Sequence, residues 1–370
     1  MNNVYLEHLK KHISDKGISG IFYACLRFVQ HTGMYKKIAL YRIGHSRSEV
    51  PRKDGLIGVF DTSKYSQNSG DNIVMDFCMG QLDEIFKECT YVDLPTHREP
   101  SIEQCDSMNK TKYKFVCGTN IICGSMEKYY QWMLPVDMSC YKDMCLFGVG
   151  WNHYNDEITK YSKAFYRTLL NKDLLHSVRD EYTKEMLEKM GIGNVINTGC
   201  PTMWKLTPDF CKTIPKNKAK NVITTITDYR QDSENDKKML NILKRNYEKV
   251  YIWLQGTNDR EYLDTIVNMD DFELVGWDLK NYDEILENVE SLDYVGTRLH
   301  AGIRALNRKI RSIIIIVDNR AREIAKDTNL TVVERENIGS ELEKRIINEF
   351  ETGIQMPLEN IKLWKSQFDR

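Results

Sequence analysis

Short apolar runs alternate with amphipathic stretches along most of this chain, and the rhythm differs mainly at its N-terminal end. There, Leu6, Leu9, Ile13, Ile18, Ile21, Phe22, Cys25, Leu26 and Val29 recur mostly at steps of three and four residues. That period predicts helix, interrupted at Gly17 and Gly20. A polar stretch at 46–54 reads as a linker. From Gly55 onward, 56–60, 113–123, 145–149 and 174–178 read as strands, and 71–86, 158–170 and 184–190 as helices. The mostly polar residues 206–220, with Pro208, Pro215 and four lysines, predict a crossing between two halves. The alternation then restarts. Strands are predicted at 222–226, 250–254, 273–275, 293–295 and 313–317, and helices at 236–246, 262–267, 281–288, 300–306 and 320–327. From Ser340 the tail reads as helix with a break at 353–357.

Such alternation implies parallel sheets covered on both faces. The pattern predicts an α/β protein: two Rossmann-like domains, at 55–212 and 213–370, facing each other across a cleft. A helical extension at 1–54 precedes them, and helices close the second domain. This arrangement is similar to that of the GT-B glycosyltransferases, and 370 residues are enough for two cores.

Composition narrows the function classes. Hydrophobic residues at 41% against 28% charged, with no apolar run of bilayer length, predict a soluble protein. The net charge of −1 gives no global pull toward nucleic acid, so no such partner is predicted. The ten cysteines include no Cys-x-x-Cys pair. With no apolar leader at the N-terminus, they predict buried free thiols in a cytoplasmic protein. No Asp/His cluster has ligand spacing, so no metal is predicted. Charge is uneven, however: residues 1–53 hold ten Lys/Arg against Glu7, Asp15 and Glu49. Two readings stay open for this segment. Its basic helices could dock on the inner face of the cell membrane, or their apolar faces could pack on the first domain.

Three polar segments stand where predicted strands hand over to helices. Gly296-Thr297-Arg298-Leu299-His300-Ala301-Gly302 lies at the carboxyl edge of a sheet, where open α/β folds bind ligands. There Arg298 can grip a carboxylate or phosphate with two parallel hydrogen bonds, and His300 can pass a proton. The alternatives are an ion pair and a helix cap. Ser177-Val178-Arg179-Asp180 repeats the placement, again with an Arg–Asp pair as the alternative. In Asn68-Ser69-Gly70-Asp71-Asn72, Gly70 allows close backbone approach to a ligand, and Asp71 is a cap or a base. At further strand ends, Trp151 could stack on a sugar, and Asn152, Gln255, Asn258 and Asp259 could bind hydroxyls; core or turn roles are the alternatives.

In order and spacing, these segments resemble the polysaccharide pyruvyl transferase family. Asn68, Gly70 and Asp71 match its N-x-G-D element, and Val178, Arg179 and Asp180 its V-R-D element. Gly199, Cys200 and Pro201 match G-x-P, and Arg298, His300 and Ile303 match R-x-H-x-x-I. The resemblance runs from about residue 57 to about 335. It implies a GT-B-like fold with phosphoenolpyruvate in the interdomain cleft, held by Arg179, Arg298 and the Gly70 turn. It implies transfer of the donor's enolpyruvyl unit, as a pyruvate ketal, to a sugar of a surface polysaccharide or its lipid-linked precursor. Phosphoenolpyruvate is then a co-substrate, and no further cofactor is expected. His300 is the candidate acid and Asp71 the candidate base. The chain departs from the family pattern at Asn72, and at Asp318-Asn319-Arg320-Ala321-Arg322, where many members carry a lysine. The alternative function is a GT-B glycosyltransferase with a nucleotide-sugar donor. Such enzymes usually hold the ribose with a carboxylate, whereas this region offers Arg298 and His300 and no acidic residue before Asp318.

Overall fold

The structure, a computed structural model, describes residues 33–45, 50–128, 131–135, 138–154 and 157–369. The helical reading of residues 1–32 and the linker residues 46–49 lie outside these. Helix α1 (Gly33–His45) is the described part of the extension. It buries Leu40 and Ile43 in the core of the first half, and Lys36 Nζ donates to the Glu127 carbonyl at 3.0 Å. Here the apolar face packs on the first domain, while Lys37, Ile38, Tyr41 and Arg42 face outward.

The first half runs β1 (Lys53–Asp61), α2 (Ser69–Ile85), β2 (Thr90–Pro95), α3 (Ile102–Asn109), β3 (Thr111–Cys117), β4 (Met144–Phe147), α4 (Lys160–Leu169), β5 (His176–Val178), α5 (Glu181–Lys189) and β6 (Val195–Asn197). Its parallel sheet has the order β2-β1-β3-β4. The β5–β6 pair extends it beside β4, through a Val149–Val178 bridge and a 3.0 Å bond from Gly148 N to the Ser177 carbonyl. After the short α6 (Pro208–Cys211), the second half runs β7 (Asn221–Thr224), α7 (Ser233–Asn246), β8 (Val250–Trp253), α8 (Asp259–Ile266), β9 (Glu273–Val275), α9 (Leu279–Asn288), β10 (Leu292–Gly296), α10 (Leu299–Asn307), β11 (Arg311–Ile316), α11 (Asn319–Thr328) and β12 (Val332–Glu334). Its six parallel strands are ordered β12-β11-β10-β7-β8-β9. The architecture is mixed α/β with parallel sheets, as the alternation predicts.

Strand order reverses between β1 and β3 in the first sheet and between β7 and β10 in the second. Such reversals open a crevice beyond the carboxyl ends of the strands. The segments 62–70 and 118–120 leave one reversal, and 225–230 and 297–300 the other. The halves are joined by one apolar cluster, in which Ile73, Val74 and Cys78 of α2 meet Ala301, Ile303 and Ala305 of α10. Each fully buried Ile or Val side chain there stabilises the arrangement by about 1.5–3 kcal/mol, and the alanines by less. Beside the cluster, Arg304 pairs with Asp283 of its own half and, at 2.7 Å, with Asp76 of the other.

After α12 (Glu343–Ile347), the chain's last helix, α13 (Leu358–Ser366), departs from the expected division. It packs on the first half: Trp364 stacks on Phe147 with centroids 4.6 Å apart, and its indole N–H donates to the Leu175 carbonyl at 2.9 Å. The tail therefore ties the two halves together instead of extending the second.

Candidate active site

The site assembles where the two strand reversals face each other. Asn68 caps α2, its side chain accepting from Gly70 N at 3.0 Å. Asp71 follows in the first turn, a fifth exposed, and accepts a 2.6 Å bond from the Ser66 hydroxyl. Burial pushes its carboxyl pKa up, against the pull of Ser66 and of His97, Arg320 and Arg298 nearby. The turn also touches the second half. Ser69 N donates to the Gln255 carbonyl at 3.1 Å, and Gln255 Nε2 donates to the Asn68 side chain at 2.7 Å.

Arg179 leaves β5 and is 1% exposed. Its Nε donates to Asp180 at 3.3 Å and its Nη2 to Asn120 at 2.5 Å, Asn120 lying just beyond β3. Asp180 is mainly a cap, holding Thr183 N at 2.8 Å. The Nη1 of Arg179 is buried with no partner among the described residues. This placement depends on Gly150, because a Cβ there would lie 2.0 Å from Arg179 Nη2.

Arg298 follows β10 and is 3% exposed. Its Nε donates to the Ile226 carbonyl at 2.9 Å, and its Nη2 to Asp228 at 2.8 Å and to Asp259. The Tyr229 ring lies 5.1 Å from the guanidinium. Gly256 gives this arginine its space, since a Cβ would sit 2.6 Å from Nη2. Asp259 also accepts from Gly256 N at 2.7 Å. Burial raises its carboxyl pKa to about 6, even though Arg298 acts to lower it. Arg320, in the first turn of α11, is held by the cap residue Asp318 and by the Tyr229 hydroxyl.

His300 lies buried in the first turn of α10, with Nε2 3.7 Å from Cys200 Sγ. Burial drives its pKa down to about 3, and Arg320 and Arg179 push the same way. The imidazole is therefore neutral at neutral pH. As it stands it is not the ready proton donor that the sequence suggests. Asn68, Tyr229, Gln255, Arg298, His300, Asp318 and Arg320 all line one narrow cleft.

A family model, polysaccharide pyruvyl transferase, matches residues 68–319. The chain belongs to the polysaccharide pyruvyl transferase family. The match opens on Asn68 and closes on Asn319, both at the junction of the halves; Asn319 Nδ2 donates to the Trp151 carbonyl at 3.4 Å. A search of curated proteins gives no match. Among solved structures, the E. coli heptosyltransferase WaaC with ADP-2-deoxy-2-fluoro heptose is similar at 10% identity and a TM-score of 0.32. That likeness covers 70% of this chain and 88% of the other.

In this pyruvyl transferase family member, the structure brings Arg298, His300 and Gln255 to the cleft. Gly70 lies against Gln255, Asp71 lies within electrostatic reach of Arg298 and Arg320, and Arg179 within that of His300. Trp151 is not a platform for a sugar: it is 1% exposed, packed in the core of the first half, with its backbone N–H bonded to Thr183 at 2.8 Å. Asn152 is half-buried next to Asn120, whose Nδ2 donates to its carbonyl at 3.3 Å. Asn258 is exposed at the start of α8, and its neighbour Asp259 holds Arg298 instead of facing a ligand. Sequence reasoning missed Asn120, Tyr229 and Asp228. All three follow strands that flank a reversal, so the rule that singled out Arg298 applies to them once strand order is known.

Proposed function

We propose that the cleft binds phosphoenolpyruvate and transfers its enolpyruvyl unit to a sugar, forming a pyruvate ketal on a surface polysaccharide or its lipid-linked precursor. The observation that carries this reading is Arg179: a guanidinium 1% exposed, with a buried Nη1 that no described residue satisfies. A buried unmet donor of this kind is costly, and a ligand carboxylate or phosphate oxygen would satisfy it. The neighbouring carboxylates are committed, Asp180 and Asp318 to helix caps and Asp259 to Gly256 N and Arg298.

The chemistry is addition followed by elimination. A sugar hydroxyl oxygen bonds C2 of the donor as its proton leaves to a base, and a proton is added at the methylene carbon C3. The C2–O bond to phosphate then breaks, releasing inorganic phosphate, and a second hydroxyl closes the ketal as it loses its proton. Asp71, its carboxyl pKa raised, suits the base. His300 enters neutral, chiefly through burial; a bound phosphate would offset Arg179 and Arg320 and raise its pKa, which favours proton transfer through it.

The test is phosphate release from phosphoenolpyruvate across a panel of soluble and lipid-linked glycans, with donor affinity measured by calorimetry. Arg179→Met should weaken phosphoenolpyruvate binding by tenfold or more, roughly the worth of a charge-assisted hydrogen bond. Unchanged affinity in that variant, with no glycan supporting phosphate release, would sink the reading.

A further inference from the structure

The acceptor needs a surface of its own beside the donor, and Trp151 does not provide it. Trp277, just past β9, is 58% exposed, whereas Trp132, Trp151, Trp204, Trp253 and Trp364 are all buried. β8 and β9 run in parallel register with Trp253 opposite Val275, so Gln255 and Trp277 stand two residues further on, at equivalent places beyond the two strands. Both are tied to the residue that begins α2: Ser69 N donates to the Gln255 carbonyl at 3.1 Å, and Ser69 Oγ to the Trp277 carbonyl at 2.7 Å. Gln255 is 3% exposed, lines the cleft, and spends its Nε2 on Asn68. Its Oε1 has no partner among the described residues. A second aromatic at the cleft, Tyr229, is half exposed but committed, its ring beneath Arg298 and its hydroxyl on Arg320.

We propose that Trp277 and Gln255 form the acceptor-sugar subsite, with the indole stacking on the C–H face of a pyranose and Gln255 Oε1 accepting from one of its hydroxyls. An exposed indole offers a large flat apolar face, and an unmet buried amide oxygen fixes the orientation of what lies on it. The subsite rests on the pyruvyl-transfer reading for its place in the reaction, but it can fail separately.

Trp277 alone among the six tryptophans faces solvent, so acrylamide quenching of intrinsic fluorescence reports on it selectively. The probes are methyl glycosides of glucose, galactose, mannose and N-acetylglucosamine, with phosphoenolpyruvate saturating. At least one should protect the exposed component of the fluorescence, and that component should be absent in Trp277→Phe. With the glycoside that protects best, Trp277→Ala should raise the acceptor KM about tenfold while phosphoenolpyruvate affinity stays at the wild-type value, and Trp277→Phe should recover most of the loss. Lack of protection by every glycoside overturns the subsite, as does an unchanged acceptor KM in Trp277→Ala. Protection without any phosphate release would instead keep the subsite and remove the pyruvyl-transfer reading.

Discussion

Arg179 and Arg298 are alike in standing just past a parallel strand and in passing over a glycine whose Cβ would strike the guanidinium, although β5 lies at the side of its sheet and β10 at the centre of its own. They are nevertheless held in opposite ways. Arg298 is matched by Asp228, Asp259 and the Ile226 carbonyl, so it is first a strut that locks the loop after β7 to the helix after β8. Arg179 has one long bond to Asp180, one to Asn120, and a buried Nη1 with no partner among the described residues. Two arginines that look alike in sequence therefore differ in their surroundings. One is tied to two carboxylates, and the other keeps a buried Nη1 with no partner among the described residues.

The sharpest way to break this comparison is to remove each charge and measure stability. Arg298→Ala leaves Asp259, 1% exposed, and Asp228 without their cation. Stripping one partner from a buried pair costs about 3–5 kcal/mol. Arg179→Met removes an unmet donor along with a long 3.3 Å bond to Asp180, whose carboxylate stays held by Thr183, so it should cost less, about 1–2 kcal/mol. Urea unfolding of the two variants checks this; equal losses would mean that Arg179 is as much a strut as Arg298.

A smaller effect sharpens the electrostatics between them. His300 takes up a proton near pH 6.5 when unfolded but only near pH 3 when folded. A depressed imidazole means the unfolded state binds more protons, so His300 removes stability as pH falls below 6.5. The slope is up to about 1.4 kcal/mol per pH unit. His300→Gln should lose stability less steeply by about that amount between pH 6.5 and 4, as read from urea midpoints at several pH values. His176, pushed down to about 4 by burial, contributes alike in both proteins and cancels in the difference. Parallel curves would show that folding does not depress this imidazole.

Much of the architecture is legible in the sequence because buried parallel strands are runs such as Ile313 to Ile316 that few other structures accommodate. The elements that escape are those with little apolar signal. β2 is half exposed, β6 and β12 are three residues long, and α3 buries only Met108. For the site, Arg298 and His300 are visible because strand, turn and helix are contiguous there. What holds Arg298 is not, since Asp228 lies 70 residues away and Asp259 lies 39 away. The same limit explains the tryptophans. Trp151 and Trp277 both follow strands, and only the packing of the first half buries one and leaves the other open.

The smallest effect concerns the tie between the halves, and it asks whether Arg179 and Arg298 act through domain closure or through their own contacts. The Asn68 side chain accepts from Gly70 N at 3.0 Å and from Gln255 Nε2 at 2.7 Å, so one oxygen both caps α2 and bridges the cleft. Asn68→Ala removes both bonds. Loss of a cap costs about 1 kcal/mol, while the tie through Ser69 to the Gln255 and Trp277 carbonyls remains, so the halves should stay docked. Stability should therefore fall by about 1 kcal/mol and phosphoenolpyruvate affinity by less than about threefold, since a few tenths of a kcal/mol is all a retained closure would forfeit. Asn68→Asp keeps an acceptor for both N–H groups and should restore stability. If Asn68→Ala instead weakened the donor as much as Arg179→Met, measured side by side by calorimetry, the unmet guanidinium would owe its effect to closure, and the contrast with Arg298 would fall.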